Sequence, residues 1–341
     1  MSVAFGNRVT TTTQDEILPK VVDTILNSNV FATRMLGRSK RWVGETLKQP
    51  IKISKNSTGQ SFTGFDTFST NATNNRVNLS YNPSFYQITV ALPLSELSVN
   101  QTDSKVIELA AIEMAGAAQD MADDIGTLFY ADGTGNSSKD FLGLAAIVDD
   151  GTTVATIGGQ SRSTYETLKS TKTASGGTLT LAKMATLYSA VSSGAQKVTL
   201  GLCDETVANL YEQLLQPQER IPKDIPMVKN GYPGGTGFVG YFYKGFPILA
   251  DEKATSQTLF FINEDWIDFY ALPVAMTEPV KFKSQSVQGN DYSSVMGLGF
   301  SWSGWIKPTN SASVVGHIYL GGELVTFNPK RHGKLTGISS V

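Results

Sequence analysis

The stretch Asp103-Ser-Lys-Val-Ile-Glu-Leu-Ala-Ala-Ile-Glu-Met-Ala-Gly-Ala-Ala-Gln-Asp-Met-Ala-Asp-Asp-Ile-Gly-Thr-Leu128 decides the fold. Its apolar residues Ile107, Ala110, Met114, Ala117, Met121, Ile125 and Leu128 recur at alternating short gaps, which draws one stripe down one helix face. Asp103 reads as the N-cap, and Tyr130-Ala-Asp-Gly-Thr-Gly135 supplies the stop. At 1.5 Å rise per residue, roughly 25–28 residues make a rod about 40 Å long. Most globular helices are about 11–12 residues. A rod of that length braces something extended, and the stretches on both sides of it cannot bury themselves. The combination points to a building block more than to a catalyst.

Upstream, Gly44 to Pro93 reads as a long β-hairpin. Ile51 and Ile53 alternate with polar residues, as do Val77, Leu79 and Tyr81, then Tyr86, Ile88, Val90 and Leu92. Between these arms run Ser54-Lys-Asn-Ser-Thr-Gly-Gln60 and Ser69-Thr-Asn-Ala-Thr-Asn-Asn75, whose apolar company is Phe62, Phe65 and Phe68. An isolated two-stranded hairpin is marginal in water. Either a neighbouring subunit covers those rings or they pack back on their own domain. Met1 to Thr13 is a polar arm, followed by helical spacing at Ile17, Leu18, Val21, Val22, Ile25 and Leu26. Arg34, Arg38, Lys40 and Arg41 form a basic cluster, read as a solvated face or as contact with an anionic polymer.

Downstream, the pattern becomes compact α/β. Leu179 to Val191 and Glu205 to Leu215 read as helices. Lys197 to Cys203, Phe238 to Ala250 and Leu259 to Ile262 read as strands, with Pro217 to Gly237 a Pro/Gly-rich loop. From Asp265 the pattern is β again, through Val314 to Tyr319 and Leu324 to Phe327, and a basic tail, Asn328 to Lys334, closes the chain.

Composition narrows the function. The chain has 341 residues, 17% of them charged and 40% hydrophobic; the charged share is below the usual ~25%, and neutral polar residues replace it. Such a surface suits broad protein contacts. A formal net charge of −2 provides no strong basic field for tight nucleic-acid binding. No apolar run approaches the ~18 residues of a membrane span. The single cysteine, Cys203, forbids an intrachain disulfide and any multi-cysteine zinc site, and its apolar run makes it a buried strand residue rather than a nucleophile.

Chemical motifs are weak. Gly235-Thr-Gly-Phe-Val-Gly240 matches the dinucleotide fingerprint in letters, but Pro233 precedes it and strand-like Tyr241-Phe-Tyr243 follows. Gly133-Thr-Gly-Asn-Ser-Ser-Lys139 has the wrong spacing for a phosphate loop. His317 and His332 have no partner at metal-ligand spacing. Pairs such as Glu264 and Asp265 are too common in the chain to mark acid–base chemistry. No catalytic, cofactor or metal residue is nominated.

Taken in order, the elements resemble the major capsid proteins of tailed bacteriophages with the HK97 fold, over nearly the whole chain. The wording that carries this is Leu128-Phe-Tyr-Ala-Asp-Gly-Thr-Gly135, Thr156-Ile-Gly-Gly-Gln-Ser-Arg-Ser-Thr-Tyr165 and Glu205-Thr-Val-Ala-Asn-Leu-Tyr-Glu-Gln-Leu-Leu215. Gly245-Phe-Pro-Ile-Leu-Ala-Asp-Glu252 with Phe260-Phe-Ile-Asn263, and the ending Gly322-Glu-Leu-Val-Thr-Phe-Asn-Pro-Lys-Arg-His-Gly333, complete it. The resemblance implies an α+β chain with an N-terminal arm over 1–43 and an E-loop hairpin over 44–93. A P-domain with the spine helix would follow over 94–145, an A-domain over 146–264, and a β return to the P-domain with the C-terminus over 265–341.

It also implies a structural protein, not an enzyme, that self-assembles into hexamers and pentamers. These would form an icosahedral virion shell around double-stranded DNA, built in the host cytoplasm. Expected partners are a separate scaffolding protein, a portal, loosely held DNA and a decoration protein, with no membrane and no cofactor. A separate scaffold is expected because Met1 leads almost directly into the arm. Lys48, Lys52 and Lys55 lie in the hairpin, where some relatives cross-link; no covalent chainmail is expected here. Subunit-interface candidates are Phe62, Phe65 and Phe68 on the hairpin, Arg34, Arg38 and Arg41 in the basic cluster, and Pro217, Arg220 and Tyr232 at the A-domain tip. An encapsulin-like compartment and a soluble α/β enzyme bearing a long hairpin are the alternatives.

Overall fold

A computed structural model describes residues 29–71, 73–99, 103–174, 176–215, 240–274, 278–279 and 300–341. The polar arm, the helical spacing before Asn29, and the Pro217 to Gly237 loop with its dinucleotide-like letters lie outside the described residues. The chain opens with α1 (Val30–Gly37), β1 (Lys40–Arg41), β2 (Leu47–Lys52), β3 (Arg76–Tyr81), β4 (Ser84–Pro93), α2 (Leu94–Val99) and α3 (Asp103–Leu128). It continues through α4 (Leu144–Ile147), β5 (Thr156–Ile157), β6 (Gln160–Ser161), β7 (Thr171–Thr173), β8 (Gly177–Thr178), α5 (Leu181–Val191), β9 (Leu200–Cys203) and α6 (Glu205–Leu215). The remaining elements are β10 (Gly240–Tyr243), β11 (Phe246–Ala250), β12 (Thr258–Ile262), β13 (Ile267–Ala271), β14 (Glu278–Pro279), β15 (Phe300–Trp302), β16 (Ser313–Thr326), β17 (Gly333–Thr336) and β18 (Ile338–Ser340).

The long helix forms as its periodicity requires. α3 is 26 residues, with Met121 and Ile125 buried and Met114, Ala117 and Leu128 half-buried. Its exit is fixed by a close backbone approach. Leu144 N–H donates to the Phe129 carbonyl at 2.7 Å, and a Cβ on Gly143 would collide with the Leu128 and Ala131 backbone. Phe129 and Phe141 then meet edge to face over Phe269, closing the core between the helix and the sheet.

One sheet runs β1-β13-β16-β15-β14, with β4 also on β16; the other runs β10-β11-β9-β12-β17-β7. β4 corrects the hairpin reading. Its alternation is real, but it pairs antiparallel with β16 from Ser84↔Gly322 to Pro93↔Ser313. The hairpin proper is β2 on β3, Leu47↔Tyr81 to Lys52↔Arg76. Pro83 removes a ladder donor between β3 and β4, so the chain changes sheets there.

The ending is corrected too. Asn328 to Lys334, read as a basic tail, is not a tail. A 3-10 turn at Pro329–Arg331 leads into β17, which lies between β12 and β7 in the second sheet. His332 is fully buried and Lys334 nearly so. Residues assigned to the P-domain return therefore complete the α/β unit.

The core has two parts. One gathers Phe31, Met35, Trp42, Ile125, Phe129 and Leu324 under the long helix and the first sheet. The other sandwiches the second sheet with α5 and α6, through Met184, Leu187, Val207, Tyr211, Phe246 and Phe261. Thr180 caps α5 by accepting from Lys183 N–H, so the helix starts at Leu181, two residues later than Leu179.

Candidate subunit interface

The hairpin is firmly rooted and open at its tip. At the root, the Tyr81 hydroxyl donates to the Thr326 carbonyl at 2.7 Å, and burial pushes its pKa well above the usual phenol range. Ser80 N–H donates to the Gly158 carbonyl at 2.9 Å, and Gln160 Nε2 donates to the Asn78 carbonyl at 3.1 Å. Buried Leu79 sits against Gly158, whose φ of +54° and contact with the leucine leave no room for a side chain.

Beyond Ile53 the strands end and the loop shapes itself with local polar bonds. Asn56 Oδ1 accepts from the Thr58 amide and hydroxyl and from Thr73; Thr63 N–H donates to Asp66. Gln60 Nε2 donates across to the Thr67 carbonyl at 2.9 Å. Those bonds leave the rings outside. Phe62, Phe65 and Phe68 are exposed at 68, 106 and 58%, with Phe62 and Phe68 edge to face at 5.2 Å. Among the described residues, none covers them.

The basic cluster divides. Arg34 is not a solvated residue: its guanidinium holds Glu264 at two points, and Arg38 reaches the same carboxylate at 3.7 Å. Lys40 pairs with buried Asp268 at 2.6 Å. The bare cluster in sequence thus mostly neutralises buried acids more than two hundred residues further along the chain. Arg41 is exposed. Pro217, Arg220 and Tyr232 lie outside the described residues.

Several titratable groups are buried and paired. Asp149 is fully buried. Burial opposes its ionisation, but the Val154, Gly151 and Thr153 amides and Lys172 outweigh it and hold the carboxyl at about 2. Arg162 lies 3.6 Å away, and its other nitrogen donates to the Ala146 and Ile147 carbonyls. Burial lowers Lys334, beside the same acid, to about 8. Glu323, in the C-terminal part of β16, accepts from Leu142 N–H, Leu324 N–H and the Ser84 hydroxyl, yet burial raises it to about 7. Burial also lowers His332 to about 3; its ring bonds Thr326 and the Asn263 amide, so it is a neutral core residue. His317 bonds Thr89 at 3.0 Å. Burial pushes the Cys203 thiol up to about 12 at the C-terminal end of β9. Among the described residues no three His, Cys, Asp or Glu side chains gather as metal ligands, and no helix is long and apolar enough to cross a membrane.

No protein-family model and no curated protein matches the chain. Solved structures do. The cyanophage A-1(L) capsid asymmetric unit holds a chain 14% identical, covering 91% of this chain and 93% of that one, with a TM-score of 0.66. The SrpI encapsulin of Synechococcus elongatus PCC 7942 is 10% identical over 99 and 97%, with a TM-score of 0.57. The capsid of the native GTA particle is 9% identical over 92 and 91%, with a TM-score of 0.56. At these identities the likeness is one of fold: an α+β chain with the HK97-like architecture, end to end.

Proposed function

We propose that this chain, with its HK97-like fold, is the major capsid subunit of a tailed bacteriophage and has no catalytic role. Hexamers and pentamers would tile an icosahedral shell around double-stranded DNA, assembled in the host cytoplasm. The observation that carries this is the hairpin tip. Three phenylalanines stand in water on a loop that its own polar bonds have already shaped. Burying a Phe is worth roughly 1.5–3 kcal/mol, so the tip offers a driving force for contact with another molecule. A standard protein interface buries about 1,600 Å², and several per subunit make the assembly far more stable than the monomer. The interior would touch DNA through phosphate contacts without base reading. A separate scaffolding protein, a portal and a decoration protein complete the expected partners.

Likeness to an encapsulin over nearly the whole chain supports a second reading: the same shell with protein cargo in place of DNA. Electron microscopy of the recombinant protein after size-exclusion chromatography, with and without a co-expressed scaffold candidate, tests both. Closed shells or capsomer rings are expected, and nucleic-acid content separates the two readings. Monomers or dimers alone under both conditions would sink them.

A further inference from the structure

Two lysines stand side by side in the second sheet. β17 runs parallel to β7, and Lys334 is directly opposite Lys172. Neighbouring strands lie about 4.8 Å apart, so both side chains leave one face of the sheet together, and like charges so placed repel. Both reach Asp149, Lys172 Nζ at 3.1 Å and Lys334 Nζ at 3.9 Å from Oδ1. Arg162 meets the other oxygen at 3.6 Å. Three basic side chains thus surround one buried acid. Asp150 stands at the rim, partly exposed, its carboxylate already engaged by the Thr152 amide and hydroxyl.

The three cations are not served alike. Lys172 donates to Asp149, Thr152 and Thr153, one partner for each N–H. Lys334 has one hydrogen bond among the described residues, to the Ala145 carbonyl at 3.2 Å. Its ammonium carries three donors, while the side chain keeps only 9% of its surface. Arg162 Nε is buried and has no partner among the described residues. Both groups short of partners are donors, so what the cluster lacks is an acceptor bearing negative charge. Burial, with Lys172 and Arg162 beside it, lowers Lys334 to about 8 against the pull of Asp149. Near pH 8 about half of it is the neutral amine, against below ~1% for an ordinary lysine.

We propose that Lys334, facing Asp149, Arg162 and Lys172, is a site of reversible carbamate formation with dissolved carbon dioxide. The neutral amine nitrogen attacks the carbon of CO2. A C–N bond forms, and one C=O electron pair moves onto oxygen. The nitrogen then releases one proton to water, and nothing is oxidised or reduced. The step turns the least-served cation of the cluster into an anion. Arg162 and Lys172 then balance Asp149 and the carbamate, two against two. The remaining N–H still has the Ala145 carbonyl as its acceptor, and the new oxygens bring acceptors beside Arg162 and Lys172. β17 lies between β12 and β7, so the adduct fastens the strand that completes the second sheet. CO2 becomes a ligand that stabilises the fold by mass action. This is a property of the folded subunit and does not depend on shell formation.

Carbon-13 NMR of the full chain in carbon-13 bicarbonate at about pH 8 tests it. A carbamate resonance is expected, and Lys334→Gln should remove it. At equal dissolved CO2 it should shrink at least about tenfold by about pH 6.5, as the amine protonates. The α-amino group titrates in the same range, at about 8, and adds a signal of its own. Trapping with a trialkyloxonium reagent, followed by peptide mass spectrometry, therefore reads the position. The trapped mass should fall on the peptide holding Lys334, with about a tenth of that level or less on peptides holding the exposed Lys48 and Lys52. Trapping uses the wild-type chain, so a Lys334→Gln variant that fails to fold leaves the test standing. An adduct confined to the N-terminus, or none in saturating bicarbonate, overturns the proposal. If bicarbonate raises the thermal midpoint only as much as an equal concentration of chloride, and no adduct is trapped, the cluster is a plain anion site and the proposal falls.

Discussion

Arg34 holds Glu264 in a two-point grip across 230 residues of chain, Nε to Oε1 at 2.8 Å and Nη2 to Oε2 at 2.7 Å. The pair pins α1 to the junction between the two sheets, and Arg38 bonds the Glu264 carbonyl at 3.1 Å. The planar fork is what makes two bonds at once. Arg34→Lys should therefore destabilise by about 1–2 kcal/mol, and Arg34→Ala by about 3 kcal/mol, because a mostly buried carboxylate is left with weaker partners. Chemical denaturation with a two-state fit measures this; a change below about 0.5 kcal/mol for Arg34→Ala would contradict it.

Glu323 makes stability depend on pH. Its folded pKa is raised to about 7 from 4.5, with burial the cause. Below the unfolded value both states are protonated, and the group costs nothing. As pH rises from about 4.5 to 7 the unfolded chain ionises first, so stability falls, by about 3 kcal/mol in total, and then levels. Glu323→Gln keeps the shape: its oxygen can face the two amides while its nitrogen donates to Ser84 Oγ. The variant should lose the slope in this window and exceed wild type above pH 7. Denaturation midpoints at pH 5 and pH 8 decide it; an unchanged slope would show that another group is responsible.

Phe62→Ser with Phe65→Ser should leave the subunit folded, with a thermal midpoint within about 1 °C, since neither ring is covered by the described residues. Shell formation should be abolished. Normal particles from this variant would remove the tip from the interface.

Cys203 should be chemically silent. Buried, with its thiol pushed up to about 12, it should fail to react with a disulfide reagent at pH 8 until the protein is unfolded. Stoichiometric labelling of native protein would mean that β9 opens.

Gly143→Ala should cost about 3 kcal/mol or prevent folding, because the new methyl meets backbone atoms of Leu128 and Ala131 and not a side chain that can turn away. Soluble, wild-type-stable protein would show that the helix exit can shift.

Local patterns were readable from the sequence. The stripe from Met114 to Leu128 is set by nearest neighbours along one helix, whereas the scarcity of apolar residues around Phe62 to Phe68 left both alternatives for those rings open. What failed was pairing over distance. β4 alternates like any hairpin arm, and nothing local says that its partner is β16, more than two hundred residues away. His332 and Lys334 look solvated because they sit in a basic run; only the placement of β17 between β12 and β7 makes them interior. Arg34 showed its charge but not its acid, since Glu264 is brought to it by the fold. Asp149-Asp-Gly-Thr-Thr153 does carry a local turn signal, an acid bonding amides two to five residues on.

The last strands have a consequence for synthesis. β16 lies inside one sheet and β17 inside the other, with only a short turn between them. A nascent chain that has not yet released residues 313–336 lacks an interior strand in both sheets at once. Neither half can close early and wait for the other. Prematurely terminated products should therefore be protease-sensitive and should not poison a growing lattice, because both halves are completed by the same few seconds of translation.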